Sequence, residues 1–267
     1  MIDLTAQESH FAFGENWQSF ASLVDMDRIA RSDAGLAGLF EPGELTGKRA
    51  IDIGCGSGLP ALSMLRAGAE HVTCVDIDPE SVRATAETLS RFAPVDAWAV
   101  RACSVFDLTE SYDVVYSWGV LHHTGDMWRA IDKAAGLVKP GGLLAIAVYF
   151  KTPLCGFWTA EKRFYAHAPK WAQRAIRGLY YAIYFAAKIA KGRNPFAEIR
   201  NYGLRGMNWW HDVHDWLGGY PYESASPEEI CDFLAARGLA RVRERLKPGK
   251  RRGIGGSGCD EFVLRRP

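Results

Sequence analysis

An apolar run that breaks into three alternating glycines limits the possible folds of this chain more than any other feature. Residues 50–58 read Ala-Ile-Asp-Ile-Gly-Cys-Gly-Ser-Gly, which places glycine at 54, 56 and 58. Asp76 ends a second apolar run eighteen residues after the last of these glycines. Glycine lets the backbone approach a ligand where a Cβ would clash, and an acid at this spacing can accept hydrogen bonds from a ribose. The pattern therefore predicts a βαβ unit that binds a nucleoside.

The spacing of the glycines argues against a phosphate-binding loop. A dinucleotide fingerprint is Gly-x-Gly-x-x-Gly, and Leu59 stands where its third glycine belongs. A P-loop ends in Gly-Lys-Ser/Thr, whereas the nearest lysine, Lys48, lies before the loop. A ligand with a nucleoside and no phosphate fits better. A nicotinamide oxidoreductase is the less favoured alternative.

Five elements between about residues 45 and 150 resemble, in order, the class I S-adenosylmethionine-dependent methyltransferases. They are the glycine loop with Asp52 before it, the acid at 76, and the segments 103–107, 112–123 and 138–144. The glycine loop alone is a weak signal, but five elements in register are a strong one. The resemblance implies a Rossmann-like fold and S-adenosylmethionine as the cofactor.

The same resemblance assigns residues to the expected cofactor site. Glycines of the loop would admit the methionyl part, Asp76 would bind the ribose, and Ser104 stands where many relatives carry an acid toward the adenine amino group. Trp17 is a candidate cover from the N-terminal helices, with core packing an equally good interpretation. The full expected set is Asp52, Gly54, Cys55, Gly56, Gly58, Asp76, Ile77, Ser104, Val105, Ser117, Trp118 and Trp17.

Strands that alternate with helices predict a parallel sheet covered on both faces. Predicted strands lie at 49–53, 71–76, 97–103, 113–118 and 143–149, and predicted helices at 58–68, 78–92 and 130–137. After a long insert, Ser226 caps a helix that ends at Gly238, and 240–246 and 259–265 form an antiparallel pair. The expected fold is α/β, a Rossmann-like seven-stranded and mostly parallel sheet whose last strand is antiparallel, with a helical lid insert after strand five.

The chain of 267 residues suits one methyltransferase domain. Its expected parts are N-terminal helices at 1–44, a cofactor-binding core at 45–150, the lid insert at 151–225, and a C-terminal helix with closing strands at 226–267. A net charge of +1 gives no general attraction to DNA. Six cysteines without metal spacing and the lack of a signal peptide favour a reducing cytoplasm and no metal. The oligomeric state stays open.

The insert is basic and aromatic. Between Lys162 and Arg193 there are eight Lys or Arg residues and no Asp or Glu, around an apolar run at 175–187. One interpretation is an interfacial helix that makes peripheral membrane contact through 170–193. The favoured alternative is a lid helix on the catalytic domain with a solvated basic rim. That rim is also suited to an anionic acceptor such as a nucleotide-linked or carboxylated sugar.

A second part of the insert, residues 205–223, is dense in aromatic residues, His and Asp. The pattern is typical neither of a plain strand nor of a plain helix. His211, Asp212, His214 and Asp215 offer metal ligands, but two histidines at i, i+3 without a further partner are weak evidence. Packing or hydrogen bonding to a substrate is favoured. The stretch loosely resembles methyltransferases of bacterial glycan and natural-product pathways.

Two histidines directly follow the fourth strand, where the methyl group of the cofactor is expected to point. A neutral imidazole is a suitable base near pH 7 for an acceptor hydroxyl. His123 is the first candidate and His122 the second, while simple packing of either ring is an equal alternative. His211, His214 and Asp215 are the next candidates, brought in by the lid.

The expected reaction is in-line methyl transfer to a hydroxyl of a small molecule, sugar or glycan. A quinone-like or lipid-linked acceptor is the alternative. RNA is disfavoured because no RNA-binding motif is visible and no Asn/Asp-Pro-Pro-aromatic motif follows strand four, where 117–120 read Ser-Trp-Gly-Val. A non-enzymatic scaffold is less favoured still, because the loop, the ribose acid and the histidines all remain usable.

Overall fold

A computed structural model of the chain describes residue 17 and residues 20–200, 209–246 and 258–267. Seven strands are present: β1 Arg49–Ile53, β2 His71–Asp76, β3 Trp98–Ala102, β4 Tyr112–Trp118, β5 Val138–Tyr149, β6 Ala240–Arg245 and β7 Cys259–Arg265. The α-helices are α1 Met26–Ala37, α2 Leu59–Arg66, α3 Pro79–Phe92, α4 Met127–Gly136, α5 Cys155–His167, α6 Lys170–Ala190, α7 Pro195–Arg200, α8 Trp209–Gly218 and α9 Pro227–Ala235. Part of the predicted N-terminal helices lies outside the described residues.

The strands form one sheet in the order β3-β2-β1-β4-β5-β7-β6. Strands β1 to β5 pair in parallel, while β7 runs antiparallel to both β5 and β6. The strand order reverses between β1 and β4, and ligands of such sheets bind beyond the carboxyl ends of the strands at this point. The predicted fold class is confirmed, including the antiparallel last strand.

Alternate residues of the central strands feed two cores on opposite faces of the sheet, because side chains alternate along a strand. On one face, Ile51 and Ile53 pack with α4 and α9 through residues such as Ile131 and Ile230. On the other face, residues of β1 and β2 pack with α1, α2 and α3 through, for example, Leu62. Burial on both faces explains why the strands read as continuous apolar runs.

Three boundaries differ from the sequence-based prediction by three or more residues. Strand β5 begins at Val138 instead of 143, because Val138 already pairs with Tyr112 of β4, and the register shifts across the Pro-Gly-Gly turn that follows. Helix α4 begins at Met127, where Asp126 caps it by accepting from the amide of Arg129. Helix α9 ends at Ala235 and not at 238, since the last turn before the left-handed Gly238 is not α-helical.

The insert between β5 and α9 is helical and has a small core of its own. Tyr165 of α5 and Trp209, Val213 and Leu217 of α8 are its buried members. The prediction that 205–223 is no plain helix is wrong for Trp209–Gly218, which is helix α8. Its aromatic residues are explained by this core, since Trp209 and Val213 lie on one face at i, i+4. Residues 201–208 lie outside the described residues.

A short segment after α8 ties the insert back to the sheet. The amide of Ala225 donates to the carbonyl of Tyr149 at the end of β5, with N···O of 3.1 Å. The amide of Glu223 donates to the carbonyl of His122 at 3.0 Å, and the Glu223 carboxylate accepts from the amide of Met127 at 2.8 Å. This segment, residues 219–225, is called the strap below. Within the described part of the chain, no helix is long and apolar enough to cross a bilayer.

The start of α9 offers a test of the fold. Ser226 forms a capping box with Glu229: each side chain accepts from the backbone amide of the other residue. We expect Ser226→Ala to lower the free energy of unfolding by about 1 kcal/mol, because an amide of the first turn loses its partner. Urea denaturation measures the change. Ser90→Ala, which removes an exposed hydroxyl of α3, is the control and is expected to change stability by much less.

Candidate active site

The glycine loop lies at the carboxyl end of β1, the position that the βαβ pattern predicts. The amides of Gly54 and Cys55 both donate to the carbonyl of Val75 in β2, at 2.8 and 3.1 Å. Gly54, Gly56 and Gly58 have φ angles of 77°, 50° and 76°. Only glycine adopts this left-handed region without strain. The loop is thus held against β2 in a conformation that requires its glycines.

Neighbouring side chains occupy the space that side chains at the glycines would need. A Cβ on Gly54 would overlap the methyl groups of Val120, and a Cβ on Gly58 would lie 3.1 Å from the Cα of Thr85. Thr85 is buried and donates its hydroxyl to the carbonyl of Gly56 at 3.0 Å. The glycines therefore serve close packing within the chain as well as an approach to a ligand.

Trp17 covers the middle of this loop. Its indole ring would lie 3.1 Å from a Cβ on Gly56, and the side chain is half-buried. It packs edge-on against Phe20, with ring centres 6.0 Å apart. The position of Trp17 is compatible with core packing and with a role as a cover, because the ring packs against the core on this face and also lies over the loop.

Asp76 ends β2 and turns its carboxylate toward the loop. Its Oδ2 atom accepts from the amide of Gly56 at 3.2 Å, and its Oδ1 atom accepts from the amide of Asp78 at 3.0 Å. Burial raises the pKa of this carboxyl to about 6, against the opposing effect of the two amide hydrogen bonds. Each oxygen retains a lone pair for a further donor. The geometry is that of a carboxylate able to accept two hydroxyl groups of a ligand.

Two further candidates of the loop region, the acid Asp52 and the thiol Cys55, are buried. Asp52 is 1% exposed in the middle of β1, and Cys55 is 2% exposed. Burial raises the pKa of the Cys55 thiol well above its ordinary value. Cys55 therefore stays protonated, and its backbone supports the loop: its amide donates to Val75 and its carbonyl accepts from the amide of Gly58.

The residues expected beside the adenine lie at the ends of β2 and β3. Ile77 follows Asp76 and is half-buried, while Val105 is buried in a single turn of 3-10 helix, Val105–Asp107. Ser104 caps that turn, and its hydroxyl accepts from the amide of Phe106 at 3.4 Å. The amide of Cys103 donates to the carbonyl of Asp76 at 2.9 Å, which places this turn beside the acid.

Two candidates at the end of β4 have their polar atoms directed to protein partners. Ser117 is fully buried and donates its hydroxyl to the carbonyl of Ile53 at 2.9 Å. The indole N–H of Trp118 donates to the carboxylate of Glu261 in β7 at 2.7 Å. Ser117 thus joins β4 to β1 just before the glycine loop, and the polar atom of Trp118 faces β7.

His122 and His123 form another single turn, Leu121–His123, after β4. The two rings lie 4.3 Å apart, and the ring of Tyr149 lies 3.9 Å from His122 and 5.3 Å from His123. Val120, which packs on Gly54, precedes this turn directly. The histidine turn is therefore held next to the glycine loop by the packing of Val120 on Gly54.

The hydrogen bonds of the two rings fix opposite tautomers. Nδ1 of His123 lies 2.7 Å from the carbonyl of Pro221 in the strap. A carbonyl only accepts, so this nitrogen carries the proton and Nε2 carries the lone pair. Nδ1 of His122 instead accepts from the amide of Tyr149 at 3.3 Å, which leaves the proton of the neutral ring on Nε2. Of these two neutral rings, His123 is therefore the one whose lone pair lies on Nε2.

The environment of His122 keeps it neutral. Its side chain is fully buried, and burial, together with the nearby His123 and Lys162, holds its pKa well below the ordinary range. Its Nε2 is buried without a hydrogen-bond partner among the described residues. His122 therefore acts as a rigid neutral ring under His123.

Lys162 is a member of this cluster that the sequence pattern did not indicate. The predicted solvated basic rim is wrong for Lys162, because the side chain of this residue is fully buried on α5. Its ammonium group lies 4.2 Å from the centre of the Trp216 ring and 5.4 Å from that of Tyr222, and it donates to the carbonyl of Trp216. Burial lowers the pKa of Lys162 and raises that of the adjacent Glu161. Nothing in the one-dimensional pattern distinguishes this lysine from its exposed neighbours.

The lid candidates lie on α8, and His214 contacts the insert. Nδ1 of His214 lies 2.7 Å from the hydroxyl of Tyr165 on α5. Asp215 is 8% exposed and contributes, after burial, to the raised pKa of Tyr149. His211 belongs to the same helix, and its side chain lies outside the described residues. Among the described residues, no cluster of three or more His, Cys, Asp or Glu suits a metal ion.

The strap brings further residues that the sequence reasoning missed. A Cβ on Gly219 would lie 2.8 Å from Cε1 of His123, so only glycine leaves room for that ring. The ring of Tyr222 lies 5.3 Å from that of Tyr149, and the two form an aromatic wall beside the histidines. A Gly-Gly-Tyr-Pro-Tyr sequence at 218–222 is a recognisable turn signal, but its partner 98 residues upstream is not deducible from it.

Part of the chain is similar to known proteins. Residues 51–144 match the model of a family described as a methyltransferase domain. A ubiquinone biosynthesis O-methyltransferase of Xanthomonas euvesicatoria pv. vesicatoria is 40% identical over 115 residues, which are 41% of this chain and 46% of that protein. The chain thus matches less than half the length of this relative.

Solved structures share the fold over most of the chain at low identity. The magnesium protoporphyrin IX methyltransferase of Synechocystis PCC 6803, solved with bound SAH, gives a TM-score of 0.55 at 18% identity over 90% of this chain and 83% of that one. The cyclase SpnF gives a TM-score of 0.54 at 15% identity over 89% of this chain and 80% of that one. Because a cyclase is among these structures, the shared fold alone does not specify methyl transfer.

The contact between the loop and the histidine turn can be tested by adding one methyl group. We expect Gly54→Ala to destabilise the protein by roughly 2–4 kcal/mol, because the new Cβ overlaps Val120 and alanine is strained at this φ. Thermal unfolding measures the loss. The matched control is Gly136→Ala in α4, where a Cβ meets no atom within 4 Å. Equal melting temperatures for the two variants would contradict the packing described here.

Proposed function

We propose that this chain, in which residues 51–144 form a class I S-adenosylmethionine-dependent methyltransferase domain, transfers a methyl group from S-adenosylmethionine to a hydroxyl group of a small molecule. One observation carries the proposal. The carboxylate of Asp76 and the left-handed glycine loop are joined by a hydrogen bond, next to a turn that presents a basic imidazole nitrogen. The domain match and the O-methyltransferase relative support the reaction class.

The residues present fit the cofactor. Both oxygens of Asp76 are already oriented by backbone amides and each can accept one ribose hydroxyl. The loop offers backbone without side chains at Gly54 and Gly56 for the methionyl part. Ile77 and Val105 supply apolar surface beside the acid for the adenine, with Ser104 at its edge. We retain these assignments, with Asp52, Cys55, Gly58, Ser117, Trp118 and Trp17 around them, as the proposed binding set.

When bound, S-adenosylmethionine supplies an electrophilic methyl group and its own leaving group. The chain therefore has to bind, align and exclude water. The insert serves the last of these tasks, because the strap closes over the histidine turn through Pro221 and Glu223.

His123 is the proposed general base. Its tautomer is set by the Pro221 carbonyl, so Nε2 is the atom that takes the proton of the acceptor hydroxyl. Burial, followed by the charges of His123 and Lys162, holds the pKa of His122 well below its ordinary range, so this ring stays neutral beside the base. His122 is a positioning residue in this mechanism, since its Nδ1 is occupied by the amide of Tyr149. His211, His214 and Asp215 are secondary candidates for contacts with the acceptor.

The acceptor class is argued from the walls of the site. Tyr149 and Tyr222 place two aromatic rings beside His123, an arrangement suited to the flat face of an aromatic ring or a sugar. The relative named for ubiquinone biosynthesis supports a hydroxyl acceptor and makes a quinone-like molecule the second candidate. A glycan remains within the proposed class, and RNA is disfavoured.

The proposed ribose contact predicts a pH dependence of ligand affinity. With the pKa of Asp76 raised to about 6, the carboxyl is protonated below that pH and loses acceptor capacity. We expect the affinity for S-adenosylhomocysteine to be constant above pH 6 and to fall by up to about tenfold per pH unit below it. Isothermal titration calorimetry between about pH 5 and pH 8 measures this.

Asp76→Asn is expected to bind at least about tenfold more weakly at neutral pH and to lose the slope, because the substitution replaces one acceptor oxygen by an NH2 group, which only donates and would face a backbone N–H. Asp96→Asn, at an exposed position, is the control and should keep both the affinity and the slope. Unchanged affinity in Asp76→Asn would remove the ribose site from this position.

The role of His123 predicts a selective loss of the chemical step. We expect His123→Gln to lower kcat about 10²–10⁴-fold while the affinity for S-adenosylhomocysteine changes little, because only proton removal depends on Nε2. The assay follows labelled methyl groups from S-adenosylmethionine into fractionated small-molecule extract and compares aromatic hydroxyl and sugar products. His167→Gln, an exposed histidine of α5, is the matched control. Full activity of His123→Gln would exclude this residue as the base.

A further inference from the structure

Helix α6 presents an unusual face to solvent. This 21-residue helix has no buried residue. Ile176, Tyr180 and Tyr184 are partly covered by the insert core. On its other side Trp171 is 74% exposed, Leu179 63%, Ile183 60% and Ile189 65%. Large apolar side chains on a soluble protein are normally scattered, and a contiguous group of them marks an interaction site.

Helical geometry places these residues on one stripe. Successive residues of an α-helix are rotated by about 100°, so positions three and four apart share a face. On this side the exposed positions 171, 175, 178, 179, 182, 183, 186 and 189 carry Trp, Ala, Gly, Leu, Ala, Ile, Ala and Ile, while the exposed Arg174 lies at the edge of the stripe. The stripe runs nearly the whole length of α6 and contains no polar side chain apart from the indole N–H of Trp171. We call it the outer face of α6.

Basic residues border the outer face. Lys170 and Arg174 lie at its beginning, and Lys191 and Arg193 at its end. Between residues 163 and 193, which leaves out the buried Lys162, the chain has seven Lys or Arg and no Asp or Glu. The acid of α7, Glu198, pairs with Lys188 and Arg193, which leaves the border with a net positive charge. An apolar stripe with basic margins complements a surface that is apolar inside and anionic outside.

We propose that the outer face of α6 docks this protein on the surface of an anionic lipid bilayer. The apolar residues enter the boundary between head groups and acyl chains, and the basic side chains reach the anionic head groups. The helix lies in the plane of the surface, since no described helix can cross a membrane. Phe196 of α7, 65% exposed and in contact with Phe185 of α6, extends the apolar area.

The charge distribution disfavours two other occupants. In a second copy of this chain docked face to face, the basic borders of two α6 helices would repel each other. An RNA backbone would be attracted to the borders, but it has no use for the apolar centre of the stripe. A bilayer satisfies both parts of the surface at once.

Vesicle flotation tests the proposal independently of methyl transfer. Binding of the full chain is measured to vesicles of phosphatidylcholine with phosphatidylglycerol and to vesicles of phosphatidylcholine alone. We expect the partition coefficient to be at least tenfold higher on the anionic vesicles, and to fall with added salt. Equal binding to both vesicle types would overturn the proposal.

Two pairs of substitutions assign the binding to this surface. The double variant Leu179→Glu, Ile183→Glu is expected to lose at least tenfold in partitioning on anionic vesicles. The variant Lys170→Glu, Arg174→Glu is expected to lose at least tenfold on anionic vesicles only. Val95→Glu, which changes an 80% exposed valine far along the chain, is the control and should bind like the original protein. All these positions are exposed, and circular dichroism verifies the fold.

Analytical ultracentrifugation without lipid tests the rival occupant of this face, which is a second copy of the chain. A monomer that binds anionic vesicles through Leu179 and Ile183 supports the proposal. A dimer that dissociates in the Leu179→Glu, Ile183→Glu variant, with no vesicle binding by either protein, would assign the face to a second copy and overturn it. Binding that survives this double variant unchanged would overturn it as well.

Discussion

The hydrogen bond between the carboxylate of Asp76 and the amide of Gly56 is the contact on which the rest of the site depends. It joins the end of β2 to the loop after β1, at the point where the strand order reverses. The bonds from Gly54 and Cys55 to Val75 reinforce this junction. Because three glycines of the loop have left-handed φ angles, the loop can follow this path only with these residues. The proposed cofactor site is thus formed largely by backbone atoms.

Packing transmits this arrangement to the proposed catalytic turn. Val120 occupies the space beside Gly54, and His122 and His123 follow it after one residue. The strap then fixes the tautomer of His123 through the carbonyl of Pro221. Two adjacent histidines therefore have different capacities, one with a basic Nε2 and one with a buried, protonated Nε2. In the proposed mechanism His123 is the base, and its neighbour His122 supports it without taking part in proton transfer.

The insert shows where sequence reasoning is weakest. Lys162 and Lys170 belong to the same basic run, yet the first is fully buried under Trp216 and Tyr222 while the second borders an exposed face. Trp209 and Trp171 are likewise equivalent by residue type, but one fills the insert core and the other is 74% exposed. Side-chain burial depends on which helix packs on which, and one-dimensional periodicity does not contain that information.

The sequence by itself determined the order of the strands and helices, the glycine loop, the acid at 76 and the location of the histidine turn. These features depend on local backbone requirements and on residues close in the chain, such as φ angles that only glycine adopts without strain and acids at a fixed distance after a strand. Only the tertiary structure decided the tautomers of His122 and His123, the burial of Lys162 and the outward orientation of the apolar stripe of α6. Each of these depends on partners between 27 and 98 residues away, or on the face by which a helix packs, and therefore on the folded arrangement of the whole chain.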